Sequence, residues 1–263
     1  MASATAREAF RQFTTGVSLV TTRGPGGDNV MAAEWTFHVS YDPFLICVHI
    51  RPGKATYQAI EESQEFGVNM VSEDLVNAMS FAGHFTGHEV NKFSSDLFDR
   101  YPAEKIGAPM IRGALLNAEC RVVQQIPMGD HTAFVGEVVA FSVDDSQGPV
   151  VLHKGARMVG DRITRKEVVA VASTPSLVVP GAPVRVTGEL MMKDSGSNAV
   201  DVSVRDAQGT EIVAREVTTD ARGRFQLDLA IPDDAPEGDY RVIARHEEVE
   251  GSARVHAGPP PPD

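Results

Sequence analysis

Runs of β-branched and aromatic residues, each closed by a glycine- or proline-rich turn, recur along almost the whole chain and limit its fold more than any other feature. Gly16 opens Val17–Thr22, and GPGGD (24–28) closes it as a strong hairpin break. Asn29–Val39 and Phe44–Ile50 follow, parted by the turn Ser40-Tyr41-Asp42-Pro43; the second run is almost wholly apolar, as a buried central strand should be. Phe66–Met70 and Val150–His153 read as shorter strands, and Leu115–Gln125 with His131–Val143 as a long hairpin. Helical spacing appears in Ala6–Phe13, Ala55–Ser63 and Glu73–Ala82, while Gly83–Pro109 is polar and irregular. Helices thus interrupt a mainly antiparallel strand series, and no βαβ alternation runs through it. That order predicts a mainly β fold, a barrel with peripheral helices, and not a doubly wound sheet.

The texture changes near residue 172. Ser173-Thr174-Pro175 and Val179–Pro183 read as a linker and a first turn. Alternating segments then recur at Val184–Leu190, Val200–Arg205, Ile212–Val217, Phe225–Ala230 and Tyr240–Arg245, with turn clusters between them. The spacing suits a separate β-sandwich. The expected division is therefore a barrel over 1–172, a sandwich over 173–257 and a proline-rich tail over 258–263, and a chain of 263 residues is long enough for two domains.

Composition narrows the partners. A net charge of -12 disfavours nucleic acid or an anionic membrane surface, since both repel a negative protein. The two cysteines, Cys47 and Cys120, sit in apolar runs and read as buried thiols in a reducing compartment. The N-terminus has no apolar signal core, and no apolar run approaches about 20 residues, so the expectation is a cytoplasmic protein without a membrane span.

Three places concentrate chemistry. RPGKAT (Arg51–Thr56) supplies two cations, a glycine and a hydroxyl at a helix start, where free N–H groups and the helix dipole attract phosphate; an ordinary turn with solvated cations is the alternative. Gly129-Asp130-His131-Thr132 opens a long strand with a histidine that its aspartate can orient, or with an incidental one. His153-Lys154-Gly155-Ala156-Arg157 follows the last barrel strand and can meet nucleotide phosphates or simply face solvent. His84 and His88 in GHFTGHE lack an acidic or cysteine ligand to complete a metal set, and the glycines oppose a helix there, so no metal is expected. There is no GxSxG elbow and no GxGxxG crossover.

From about Ala9 to Arg157 the sequence resembles the flavin reductase family, whose members share a flavin-binding split β-barrel. The resemblance is carried in order by FRQFTTGVSLVTT (10–22), VMAAEWTFHVSYDPFLICVHI (30–50), SQEFGVNMVSED (63–74), NKF (91–93) and GDHTAFVGEVVA (129–140). Residues Thr218–Ala244 resemble immunoglobulin-like modules, which speaks for fold and not for function.

The family resemblance implies a homodimer with flavin, FMN or else FAD, at the subunit interface. By position, Ala33, Glu34, Trp35 and Thr36 lie along the ring system and ribityl chain. Ser40, Ile50, Arg51, Lys54, Ala55 and Thr56 hold the ribityl and phosphate end, and Lys92 and Phe93 approach from the long loop. His131, as the catalytic candidate, sits with His153, Lys154 and Arg157 near NADH or NADPH. The implied reaction is hydride transfer from nicotinamide C4 to flavin N5, in which the cofactors carry the chemistry and the protein aligns two rings. Reduced flavin would pass to a monooxygenase or another acceptor. A flavoredoxin-type electron carrier that keeps FMN, and an assembly protein acting through the sandwich, are the rival readings. The barrel, residues 1–172, is expected to fold and bind flavin without the sandwich.

Overall fold

The computed structural model describes residues 8–154, 156–158 (backbone), 166–192 and 197–259. The chain divides into two compact units, one of residues 1–88 and 99–164, the other of 89–98 and 165–263.

The first unit contains β1 (Thr15–Gly16), β2 (Ser18–Gly24), β3 (Gly27–Ala33), β4 (Thr36–Tyr41), β5 (Phe44–Ile50), helix α1 (Ala55–Ser63), β6 (Glu65–Met70), helix α2 (Val76–His84), β7 (Arg100–Tyr101), β8 (Met110–Ile111), β9 (Leu116–Met128), β10 (His131–Val143), β11 (Val150–Leu152) and β12 (Ala156–Met158). Seven strands form one sheet in the order β3-β2-β6-β9-β10-β5-β4, and every pair in it is antiparallel. The two edges, β3 and β4, are separated in sequence by only Glu34 and Trp35. Six strand spacings of a flat sheet would set them roughly 29 Å apart, and the three residue steps from Ala33 to Thr36 span at most about 11 Å. The sheet must therefore curl into a barrel whose seam lies at Glu34-Trp35. The Ser18 and Thr36 hydroxyls, 2.6 Å apart, tie β2 to β4 beside that seam. Inside, Phe66, Phe134, Val20, Val48 and Ile60 are fully buried in one apolar cluster.

The expected single strand Asn29–Val39 is thus two strands on opposite edges, and no glycine or proline marks the break. The hairpin β9–β10 is longer on its first arm than expected, reaching Met128. The expected helix over Ala6–Phe13 is described as helical only at residues 8–10; residues 1–7 lie outside the described ones.

The second unit holds β13 (Val168–Thr174), β14 (Leu177–Val178), β15 (Pro183–Met191), β16 (Ala199–Arg205), β17 (Glu211–Thr218), β18 (Arg224–Ala230), β19 (Gly238–His246) and β20 (Val249–Ala257). One sheet runs β13-β15-β18 and the other β14-β20-β19-β16-β17. Val184, Val186 and Phe225 from the first share a core with Val202, Val242 and Val255 from the second. The division does not fall at 172/173. Val168–Thr174 pairs along its length with β15, so the expected linker at Ser173 is a strand end with Ser173 fully buried. Glu89–Phe98, placed by the sequence in a barrel loop, also belongs to this unit. Among the described residues no helix is long and apolar enough to cross a membrane.

Candidate active site

The seam of the barrel gathers its unusual side chains. Register sets Ile50 opposite Thr132 on β5 and β10, which puts Arg51 beside the tight Gly129-Asp130 turn of the long hairpin. Arg51 Nη2 meets Asp130 Oδ2, and His131 Nδ1 lies 2.8 Å from Asp130 Oδ1. A carboxylate only accepts, so Nδ1 donates, and a neutral ring keeps Nε2 as its acceptor. The bond from His131, and after it the Arg51 guanidinium, hold Asp130 below the usual carboxylate range. The His131 ring stacks at a tilt on Trp35, with centroids 4.7 Å apart. Trp35 is itself fixed at the seam, because its carbonyl accepts the His49 N–H at 3.0 Å, yet 41% of it is exposed.

Next along the chain, Arg51–Lys54 forms the turn into α1. Lys54 N–H donates back to Arg51 O at 3.3 Å, and Gly53 takes φ +86°, a left-handed conformation in which a side chain is strained. A Cβ added at Gly53 would meet nothing within 4 Å, so the turn faces open space. Thr56 is buried beneath it and accepts from Asn29 Nδ2 at 2.8 Å. On the other side of Trp35, Glu34 Oε1 accepts from Thr15 at 3.1 Å, and the neighbouring Thr14 hydroxyl lies 2.9 Å from His153 Nδ1.

Residues 10–160 match the flavin reductase like domain family. The chain belongs to this family. It is 36% identical over 114 residues to an uncharacterized protein of Pyrococcus abyssi, a stretch that is 43% of this chain and 65% of that protein. A NADH-dependent flavin reductase of a Rhodococcus species is 32% identical over 154 residues, covering 57% of this chain and 82% of its own. Among solved structures, BorF, the flavin reductase component of a bacterial two-component tryptophan halogenase, superimposes with a TM-score of 0.54 at 30% identity, over 60% of this chain and 98% of that one.

The residues at the seam fit a flavin. An exposed aromatic face at Trp35, an exposed guanidinium at Arg51 and an open glycine turn at a helix start are what a flat ring system and an anionic tail require. Not every expected residue is gathered there. Glu34, Trp35, Thr36, Arg51, Lys54, Ala55 and His131 are, while Ala33, Ile50 and Thr56 lie beneath with their side chains buried. Ser40 is not, because it pairs with Leu45, six residues along β5 from Arg51 or about 20 Å of extended chain. Lys92 and Phe93 lie in the second unit, and both are buried there. The NKF motif is legible as a match, but its burial depends on strands at 168–174 and 249–257 that local sequence does not connect to it. His153 reaches the seam through Thr14, Lys154 is exposed with φ 54°, and the Arg157 side chain lies outside the described residues.

Sequence reading gave no role to Asn29, which stands in no motif, or to Thr14 and Thr15, which it took only as part of the family match over 10–22. It weighed His88 only with His84 as a metal ligand. Instead, His88 Nε2 lies 3.2 Å from Gly53 O, at the turn itself.

Proposed function

We propose that the barrel is an NAD(P)H-dependent flavin reductase. The observation that carries this is the single cluster Trp35–His131–Asp130–Arg51, joined to an open turn at the start of α1, in a chain of the flavin reductase family. When bound, the flavin supplies a two-electron acceptor for the hydride of the nicotinamide. The protein's own part is placement. Arg51 and Lys54 carry the charge that holds a phosphate tail, and the Ala33–Thr36 backbone lies along the ring and ribityl chain. Asp130 fixes the His131 ring, whose Nε2 is left to accept from the carboxamide N–H of a nicotinamide. Lys154, with Arg157, answers the nucleotide phosphates. No tuned acid or base is called for, and Trp35 excludes water from one side of the site. The two cations of the turn, Arg51 and Lys54, suit the terminal phosphate of FMN, and use of FAD is the other outcome of the test below.

The working form is a homodimer. Phe37 and Tyr41 on the edge strand β4 and Phe141 and Val143 at the end of β10 stay exposed in the single chain, and apolar surface of that kind calls for a partner. The second unit is an immunoglobulin-like sandwich. Its support is the sheet order, with β20-β19-β16-β17 facing β13-β15-β18, and the Tyr240 hydroxyl, which donates to Pro236 O at 2.6 Å just before its own strand. Buried, free Cys47 and Cys120 support a cytoplasmic setting. By analogy with BorF, reduced flavin passes to a second enzyme.

Steady oxidation of NADH or NADPH that rises with added FMN or FAD supports the reductase. A yellow protein that keeps FMN and shows no such turnover is a carrier instead, and a protein that takes up no flavin ends the reading.

A further inference from the structure

The chain leaves the first unit after His88, runs through the second as Glu89–Phe98, and returns to the first at Asp99. Within the second unit this segment is held at several points. Asn91 N–H donates to Thr174 Oγ1 at 2.9 Å, and the Asn91 amide donates to Ser176 Oγ at 3.0 Å. Ser173 N–H donates to Ser94 Oγ at 2.8 Å, and Asp96 N–H to Ser252 O at 3.1 Å. The Asp96 carboxylate also takes Arg241 Nη2 at 2.9 Å and the Ser252 hydroxyl. Lys92, Phe93 and Phe98 are buried. An irregular ten-residue segment with this many partners is fixed, not draped.

The two residues just before it hold the turn at Gly53. Gly87 approaches so closely that an added Cβ would stand 2.3 Å from Asn29 Oδ1 and 3.1 Å from Ala55 Cβ, and Asn29 is the donor to Thr56. His88 Nε2 faces Gly53 O at 3.2 Å; a carbonyl only accepts, so Nε2 carries the proton. Carbonyl and following N–H point in opposite directions across a trans peptide, so this bond fixes the Gly53–Lys54 peptide, whose N–H closes the turn on Arg51 O. His88 thereby holds the backbone of the turn that carries Arg51 and Lys54.

We propose that His88 is a positioning residue for the phosphate turn. The inference rests on the reading that Arg51–Thr56 takes the flavin phosphate. The turn is then ordered before flavin arrives, so ordering it does not weaken binding.

The test measures FMN and riboflavin affinity by fluorescence quenching in the full chain, with a thermal scan of each variant. His88→Ala is expected to weaken FMN about tenfold, as for one lost hydrogen bond, and to leave riboflavin unchanged. His88→Gln, whose amide can donate to the same carbonyl, should recover most of that. Normal FMN binding by His88→Ala, or equal loss of both ligands, overturns the role of His88. Arg51→Ala separates the two layers: if it too fails to discriminate FMN from riboflavin, the phosphate reading itself falls.

Discussion

In the second unit, β16 turns Val200, Val202 and Val204 inward and Asp201 outward, and β19 does the same with Tyr240, Val242 and Ala244 against Arg241 and Arg245. In the barrel, β4 leaves Phe37, Val39 and Tyr41 exposed on an edge strand, and β10 ends with Phe141 and Val143 exposed. Two mainly β units thus treat apolar surface differently. The second unit buries its strands between its own two sheets. The barrel closes on itself at Glu34-Trp35 and leaves over an apolar strip and a polar seam. What is left over is what can meet a ligand or a second copy.

The strongest challenge to this contrast is to open each core in turn. Phe134→Ala in the barrel and Phe225→Ala in the second unit should each cost about 3–5 kcal/mol, read by chemical denaturation. If the units depend on one another through Glu89–Phe98, saturating FMN should raise the unfolding midpoint of both variants. Two transitions, of which FMN moves only one, would make the units independent.

Arg51→Ala should weaken FMN by about 1.5–3 kcal/mol and riboflavin hardly at all, by calorimetry. Equal weakening would move the phosphate away from the turn and take the seam out of the comparison.

His131→Ala should raise KM for the nicotinamide nucleotide, or slow flavin reduction, about tenfold, with FMN affinity nearly unchanged. Stopped-flow reduction of the FMN-loaded variant checks this; an unaltered rate at every nucleotide concentration would remove His131 from the nucleotide side. The pH behaviour of its partner has a definite sign. Asp130 is held below the usual carboxylate range, so whatever it adds to folding is complete above about pH 4 and fades as pH falls through the lowered value. Between roughly pH 5 and 8 this group should contribute no slope to a stability profile.

Tyr41→Ser should weaken self-association about tenfold in sedimentation, on the order of one exposed aromatic lost from an interface core. A dimer unchanged by it would mean that the strip has another use. The smallest effect is expected at Cys47. Burial pushes its thiol up to about 11, so alkylation near pH 8 should be slow until the barrel unfolds.

Strand positions were largely legible, because segments of the second unit such as Val200–Arg205 and Phe225–Ala230 alternate with period two and are bounded by turn residues. The Arg51–Thr56 turn and the Gly129–Thr132 turn were legible for the same local reason: glycine, charge and a helix or strand start stand together in sequence. Their meeting was not, since it depends on the pairing of Ile50 with Thr132 across 82 positions. Nor was the break at Glu34-Trp35, which carries no turn residue and exists because the strands on either side belong to opposite edges of one sheet.

The sequence by itself determined the strand periodicity, the turns, the family and the cations at the head of α1. All of these are set by residues within a few positions of one another, and local backbone preference and side-chain alternation are enough to write them. Tertiary structure decided where the chain divides, that Val168–Thr174 is a strand and not a linker, that Lys92 and Phe93 are buried in the second unit, and that His88 faces Gly53. Those outcomes depend on which distant strands and loops share hydrogen bonds and a core, and that information is spread over the whole chain, so no window of sequence contains it.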